Sequence, residues 1–276
     1  MLERTEVRQA ELSSQIVFLM YHELEQAGRP LAQNDPGYVR YVVTASSFEA
    51  QMRWLKTAGL SGCSVTAALA FPLPPVVALT FDDGAETDLL SAAPVLGELG
   101  FGATFYITTG FLNRPGFLTT SQLRELAQQG FEIGSHSLTH PYLSDLDDIT
   151  LEHEMRDSRH ELEDLIGKAV VHFSCPGGRY DDRVKKFGRR CGYMTVTTSH
   201  QHANSPATDR FALGRVVIMR NTSLISFQRI CQNKGLWRRR AHDGIRSAAK
   251  SLLGNSSYDS LRTVLLRRQR PKQPAR

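Results

Sequence analysis

Four cysteines in 276 residues (Cys63, Cys175, Cys191 and Cys231) stand far apart, with no CxxC pair. That scatter is a poor disulfide framework and is compatible with reduced thiols. No apolar run approaches the roughly 20 residues of a membrane-spanning helix. The first residues, MLERTEVRQAELSSQ, are charged and lack the apolar core of a secretory signal. A cytoplasmic protein is therefore expected. No GxGxxG follows the first strand-like run, which counts against a dinucleotide-binding fold. Internal repeats are missing, and so is low-complexity sequence ahead of the C-terminal tail.

What is present is unevenly charged. The formal net charge is +5, yet the stretch from Lys234 holds twelve Lys/Arg against two Asp, so the preceding 233 residues carry about −5. The sequence thus divides into an N-terminal extension (1–15), a body (16–233) and a basic tail (234–276). In the tail, Leu236, Trp237, Ile245, Ala248, Ala249, Leu252 and Leu253 form a loosely amphipathic pattern opposite Arg/Lys. Such helices lie on anionic membrane surfaces or dock on an acidic protein face. Nucleic acid ranks last among partners, because no aromatic-interleaved fold accompanies the charge.

Within the body, strand-like and helix-like runs alternate. Strands are predicted over 16–21, 76–81, 103–107, 131–134, 170–174, 193–197 and 212–219. Helices are predicted over 46–58, 87–99, 121–129, 147–166, 181–190 and 223–232, with Pro94 a doubtful point inside the second. Seven or eight such units imply parallel strands and right-handed crossovers. A closed or nearly closed β/α barrel then outranks an open doubly wound sheet.

The chemistry gathers at strand ends. The run VVALTF over 76–81 stops at Asp82 and Asp83, followed by Gly84. Adjacent residues on a strand point opposite ways, so both carboxylates serve one site only if the chain turns there. A helix cap is the plain alternative. His136 and His140, in SHSLTH, are four residues apart, and two neutral imidazoles with a carboxylate leave room for water on a zinc ion. A solvated loop is the alternative for this pair taken alone. His22 follows the first strand, and CPGGR at 175–179 follows another. In a β/α barrel all these ends lie on one face, where active sites are built.

TFDDG at 80–84 and HSLTH at 136–140 resemble the first two motifs of the NodB-type polysaccharide deacetylases, carbohydrate esterase family 4. The resemblance runs over about 16–232. It implies an irregular (β/α)7 barrel followed here by a basic helical tail. It implies one divalent ion, usually Zn2+, held by Asp83, His136 and His140, with Asp82 as general base. The oxyanion donor would lie just after Pro176, at Gly177. Two departures stand out. The family's Arg-x-Pro third motif is replaced by the segment Phe173-Ser174-Cys175-Pro176-Gly177-Gly178, and no late Leu-x-His follows, since the last strand reads LGRVVIMR. MYHEL at 20–24 resembles the exopolysaccharide and biofilm deacetylases whose acid motif sits on the first strand, which makes His22 the general acid. Arg215 is the candidate cation beside the base, with Arg179 behind it. Cys175 reads as a pocket wall, and His200 and His202 as part of a loop over the barrel mouth.

The resulting expectation is a metal-dependent deacetylase acting on an N-acetylated polysaccharide or oligosaccharide, an exopolysaccharide or its precursor. Two other readings stand beside it. One is hydrolysis of another amide or an O-acetyl ester at the same site. The other is a carbohydrate-binding pseudoenzyme, prompted by the missing third-motif Arg.

Overall fold

Val76–Phe81, here β5, is buried at every residue but the first, and the alternation of its side chains sets up everything at its end. Phe81 points to the outer layer, where it stacks on Tyr21 (centroids 5.3 Å) and on Phe105 (4.7 Å). Thr80 and Asp82, one residue to either side, point into the barrel. The computed structural model of the chain describes residues 15–70 and 76–236. Most of the expected extension and nearly all of the expected basic tail therefore lie outside the described residues. Among the described residues no helix is long and apolar enough to cross a membrane.

Among the described residues ten strands occur in chain order: β1 (Phe18–Tyr21), β2 (Leu24–Glu25), β3 (Val43–Thr44), β4 (Ser61–Cys63), β5, β6 (Thr104–Ile107), β7 (Glu132–Ser135), β8 (His172–Ser174), β9 (Thr195–Thr197) and β10 (Val216–Val217). Seven of them run parallel in the order β10-β1-β5-β6-β7-β8-β9. Leu213 bridges Thr197 of β9 in parallel, while Val216 and Val217 pair with Leu19 and Met20 of β1, so one segment joins the two edges. This is the irregular (β/α)7 barrel the sequence implies. β4 pairs with the first half of β5, and β6 joins β5 from Thr80 onward. β2 and β3 form a separate parallel pair at the rim.

Six helices of seven residues or more cover the ring: α1 (Ala45–Thr57), α2 (Ala93–Leu99), α3 (Thr120–Gln128), α4 (Asp148–Ile166), α5 (Asp182–Arg190) and α6 (Leu224–Cys231). Their starts follow from capping side chains: Thr44, Thr119, Asp147, Asp181 and Ser223 each accept a backbone N–H from the first turn. α1 buries Phe48, Met52 and Leu55, spaced along one helical face. Burying a phenyl ring such as Phe48 contributes about 1.5–3 kcal/mol.

Two sequence expectations change. The helix over 87–99 divides into a π-helical turn, Asp88–Ala92, and α2, where Pro94 sits in the first turn and its missing N–H costs nothing. The strand over 212–219 shrinks to β10. Gly214 instead exchanges two hydrogen bonds with the Asn204 side chain, and the Arg215 N–H donates to the His200 carbonyl. Those contacts take the groups a longer ladder would use.

Inside the ring lie Phe18, Ala78, Tyr106 and Leu213. Tyr106 reaches the axis because Gly134 has no side chain: a Cβ there would lie 2.5 Å from the tyrosine ring.

Candidate active site

Because the seven strands are parallel, the residues that follow them share one rim. Asp82 leaves β5 pointing inward and is met there by Arg215, which precedes β10. The two side chains form a bidentate pair, Nη1 to Oδ1 at 2.6 Å and Nη2 to Oδ2 at 2.7 Å. Nη2 also donates to Ser174 Oγ (2.7 Å), Nη1 to Thr80 Oγ1 (3.2 Å) and Nε to the Thr198 carbonyl (3.1 Å). Arg215 is 1% exposed and Asp82 2%. Burial pushes the Asp82 carboxyl upward, but the Arg215 guanidinium outweighs it and holds the group below the usual carboxylate range. Asp82 is therefore an ionised acceptor fixed in one orientation.

Asp83 is where the chain turns. Its φ of 79° lies in the left-handed region, uncommon outside glycine. That turn brings the second carboxylate to the same side as the first. Oδ1 of Asp83 lies 3.3 Å from His140 Nε2 and 3.5 Å from His136 Nε2. It is buried and has no hydrogen-bond partner that satisfies normal geometry. His136 Nδ1–H donates to the Ser174 carbonyl (2.9 Å), which leaves the Nε2 lone pair facing Asp83. Burial lowers His136 to about 4, so this imidazole is neutral at physiological pH, as a ligand must be.

The donor atoms of Asp83, His136 and His140 all lie within 4.8 Å of one another. Tetrahedral ligands about 2.0–2.1 Å from one zinc stand roughly 3.3–3.4 Å apart. The two Asp83–His separations match that spacing, and the bare Oδ1 is the atom such an ion would satisfy. One carboxylate, two imidazoles and open positions suit a catalytic rather than a structural ion.

His22, directly after β1, is close enough for its charge to act on both Asp82 and Asp83. Its ring stacks on Tyr41 at 5.0 Å, and its Nδ1 is buried without a hydrogen-bond partner. Pro176–Gly178 forms a single tight turn after β8, with Gly177 at φ 57°. The Tyr142 ring packs on Gly177, and a Cβ there would lie 2.6 Å from it. Arg179 stands over the Tyr142 ring at 4.7 Å. Of the two arginines expected near the base, Arg215 meets Asp82 and Arg179 turns to the tyrosine. Cys175 is buried, and burial pushes its thiol far up, the opposite of what a thiolate ligand needs.

Sequence reading singled out neither Ser174 nor Glu154. Ser174 gives its hydroxyl to the Asp82–Arg215 pair and its carbonyl to His136. Its place in the departed third motif was the available signal. Glu154 was hidden on the charged helix α4.

The rim of a parallel barrel thus gathers an Asp–His–His donor set beside a second, arginine-held aspartate. Residues 72–196 match the polysaccharide deacetylase family model. Over 212 residues the chain is 29% identical to the YxkH protein of Bacillus subtilis (strain 168), covering 75% of this chain and 72% of that protein. Over 202 residues it is 25% identical to the poly-β-1,6-N-acetyl-D-glucosamine N-deacetylase of Staphylococcus aureus (strain MSSA476), covering 64% and 68% respectively. The solved structure of the Streptococcus pyogenes deacetylase PplD in complex with acetate superimposes at TM-score 0.70 and 25% identity, over 79% of this chain and 98% of that one. Residues 72–196 are thus a polysaccharide deacetylase domain of the NodB type, carbohydrate esterase family 4. The family match covers neither His22 nor Arg215.

Proposed function

We propose that the chain hydrolyses the N-acetyl group of an amino sugar in an exopolysaccharide or its precursor, with one divalent cation held by Asp83, His136 and His140. The observation that carries this reading is the bare Asp83 oxygen between two imidazoles, beside a second carboxylate locked by Arg215. Zinc is the ion that this N/O donor set suits. When bound, such an ion supplies a water of lowered pKa and a Lewis acid for the acetyl carbonyl.

The chain's own residues supply the rest. Asp82, ionised and aimed by Arg215, takes the proton of the attacking water. The Gly177 N–H donates to the oxygen on which negative charge develops, and the Pro176 turn fixes its direction. His22 donates a proton to the departing sugar nitrogen, so that one water and one amide give acetate and a free amine. Arg179 and Tyr142 wall the site on the Gly177 side. The guanidinium on Asp82 favours turnover over a pseudoenzyme that only binds carbohydrate.

The exopolysaccharide assignment is supported by the long alignment to the Staphylococcus aureus enzyme, named for its action on poly-β-1,6-N-acetyl-D-glucosamine. The basic stretch from Lys234 supports peripheral attachment to an anionic membrane surface on the cytoplasmic side. Vesicle co-sedimentation with and without residues 235–276 tests that attachment, and equal binding refutes it. For the reaction itself, acetate release from β-1,6-linked N-acetylglucosamine oligomers is compared with release from chitooligosaccharides and O-acetylated sugars. Chelator-sensitive release from the β-1,6 series, absent in Asp82→Asn, is the expected result. Release confined to O-acetyl substrates overturns the amide assignment.

A further inference from the structure

We infer that Glu154, on α4, is a positioning residue that sets the cation affinity of the loop carrying His136 and His140. The inference rests on the metal-centre reading above and deepens it.

The loop 136–140 is an improbable piece of backbone. Ser137 (φ 69°) and His140 (φ 67°) are both left-handed without being glycine. Residues held in such regions cost about 1–3 kcal/mol each and persist only where the surroundings over-determine them. Ser137 Oγ accepts the His140 N–H at 3.0 Å, and the Gly110 N–H donates to the Leu138 carbonyl at 2.8 Å. Thr108 and Thr109 donate to the carbonyls of His136 and Ser137, at 3.1 and 3.3 Å, and residues 138 and 139 are gripped from the helix layer. One carboxylate oxygen of Glu154 accepts the backbone N–H groups of both Leu138 and Thr139, each at 2.9 Å. The other accepts the Thr139 hydroxyl at 2.6 Å.

Glu154 is 5% exposed. Ser158, one turn further along α4, hydrogen-bonds Ser135 at 2.8 Å, so the helix also holds the strand that leads into the loop. Three hydrogen bonds on one buried carboxylate are charge-assisted and directional. They fix residues 138 and 139, and through them the offset between the two imidazoles. Without them Leu138 and Thr139 N–H groups lose their acceptor, and the strained loop is free to relax. The cation then meets a site that must be reassembled on binding, and affinity falls. Outer partners of metal ligands typically carry about 10- to 100-fold in affinity.

The test uses full-length parent, Glu154→Gln and Thr139→Val, with zinc affinity measured by competition against a chromophoric chelator. Thermal unfolding of each metal-free protein is followed in parallel. Glu154→Gln keeps one acceptor oxygen for the two N–H groups but loses the charge and the oxygen that takes the Thr139 hydroxyl, and is expected to weaken zinc binding about 10-fold. Thr139→Val removes the hydroxyl contact alone and is expected to weaken binding about threefold. Zinc affinities within about twofold of the parent in both variants overturn the inference, whether or not the metal-free midpoint falls. Thr139→Val keeps the test decisive if the glutamine variant does not fold. A parent chain that takes up no zinc overturns the metal-centre reading itself, so the two failures are told apart.

Discussion

Arg215, 133 residues further along the chain, grips Asp82 through both guanidinium nitrogens, at 2.6 and 2.7 Å. The pair is buried on both sides. Lysine would keep the charge but lose the planar fork. Arg215→Lys should therefore cut acetate release by at least about 100-fold while leaving zinc content unchanged. Arg215→Met should go further and destabilise the fold by about 3–5 kcal/mol, because it strands a buried carboxylate. Denaturant unfolding and metal analysis of both variants check this, and full activity in Arg215→Lys would remove Arg215 from the mechanism.

His22 is close to both aspartates but its ring is held by Tyr41 rather than by either of them. His22→Ala should leave metal binding intact and lower kcat by about 100- to 10,000-fold. A matched fall in zinc content would instead make His22 a ligand. Tyr41→Leu removes the aromatic face that orients the ring and should lower kcat less than His22→Ala does.

At Gly177 a side chain is excluded twice, by its φ of 57° and by the Tyr142 ring. Gly177→Ala should displace the N–H and reduce kcat by roughly 100- to 1,000-fold. Adding Tyr142→Ala relieves the clash but not the backbone, so the double variant should remain impaired. Recovery of parental kcat would show that contact, not the N–H, was at stake.

The opposite end of the barrel predicts a pH effect free of the site. Burial works to raise the Glu132 carboxyl, but hydrogen bonds from His172, Thr104 and Thr66 outweigh it and hold the group at about 2. A carboxylate depressed on folding contributes stability above its unfolded pKa, near 4.5, and loses it as pH falls toward 2. Glu132→Gln should thus cost about 1–3 kcal/mol at pH 7 and progressively less below pH 4.5. A cost that is flat across that window would contradict the assignment.

How much of this the sequence discloses differs from residue to residue. Asp82 and Asp83 become legible only together with His136 and His140, since a helix cap explains two acids at a strand end equally well, and the sequence places the freedom to turn at Gly84. The turn begins at Asp83 itself, a strained choice no local propensity announces. Arg215 was named from its charge on the last strand. The reason that strand is short, Asn204 and His200 taking its backbone partners, is a tertiary contact without a local signature. β4 escaped notice because Ser61, Gly62 and Cys63 carry no apolar run, and its pairing with β5 alone makes it a strand. Glu154 looked like one more solvated acid on α4, since sequence spacing gives no sign that a loop folds back over it.

The central claim is that Asp83, His136 and His140 share one cation that the reaction requires. The direct measurement is acetate release by metal-free parent protein titrated with zinc, alongside His136→Ala and Asp83→Asn treated identically. The account predicts no release without metal, activity rising to a plateau at one equivalent in the parent, and no recovery in either variant. Turnover by the metal-free protein, or zinc-restored turnover in both variants, would contradict it.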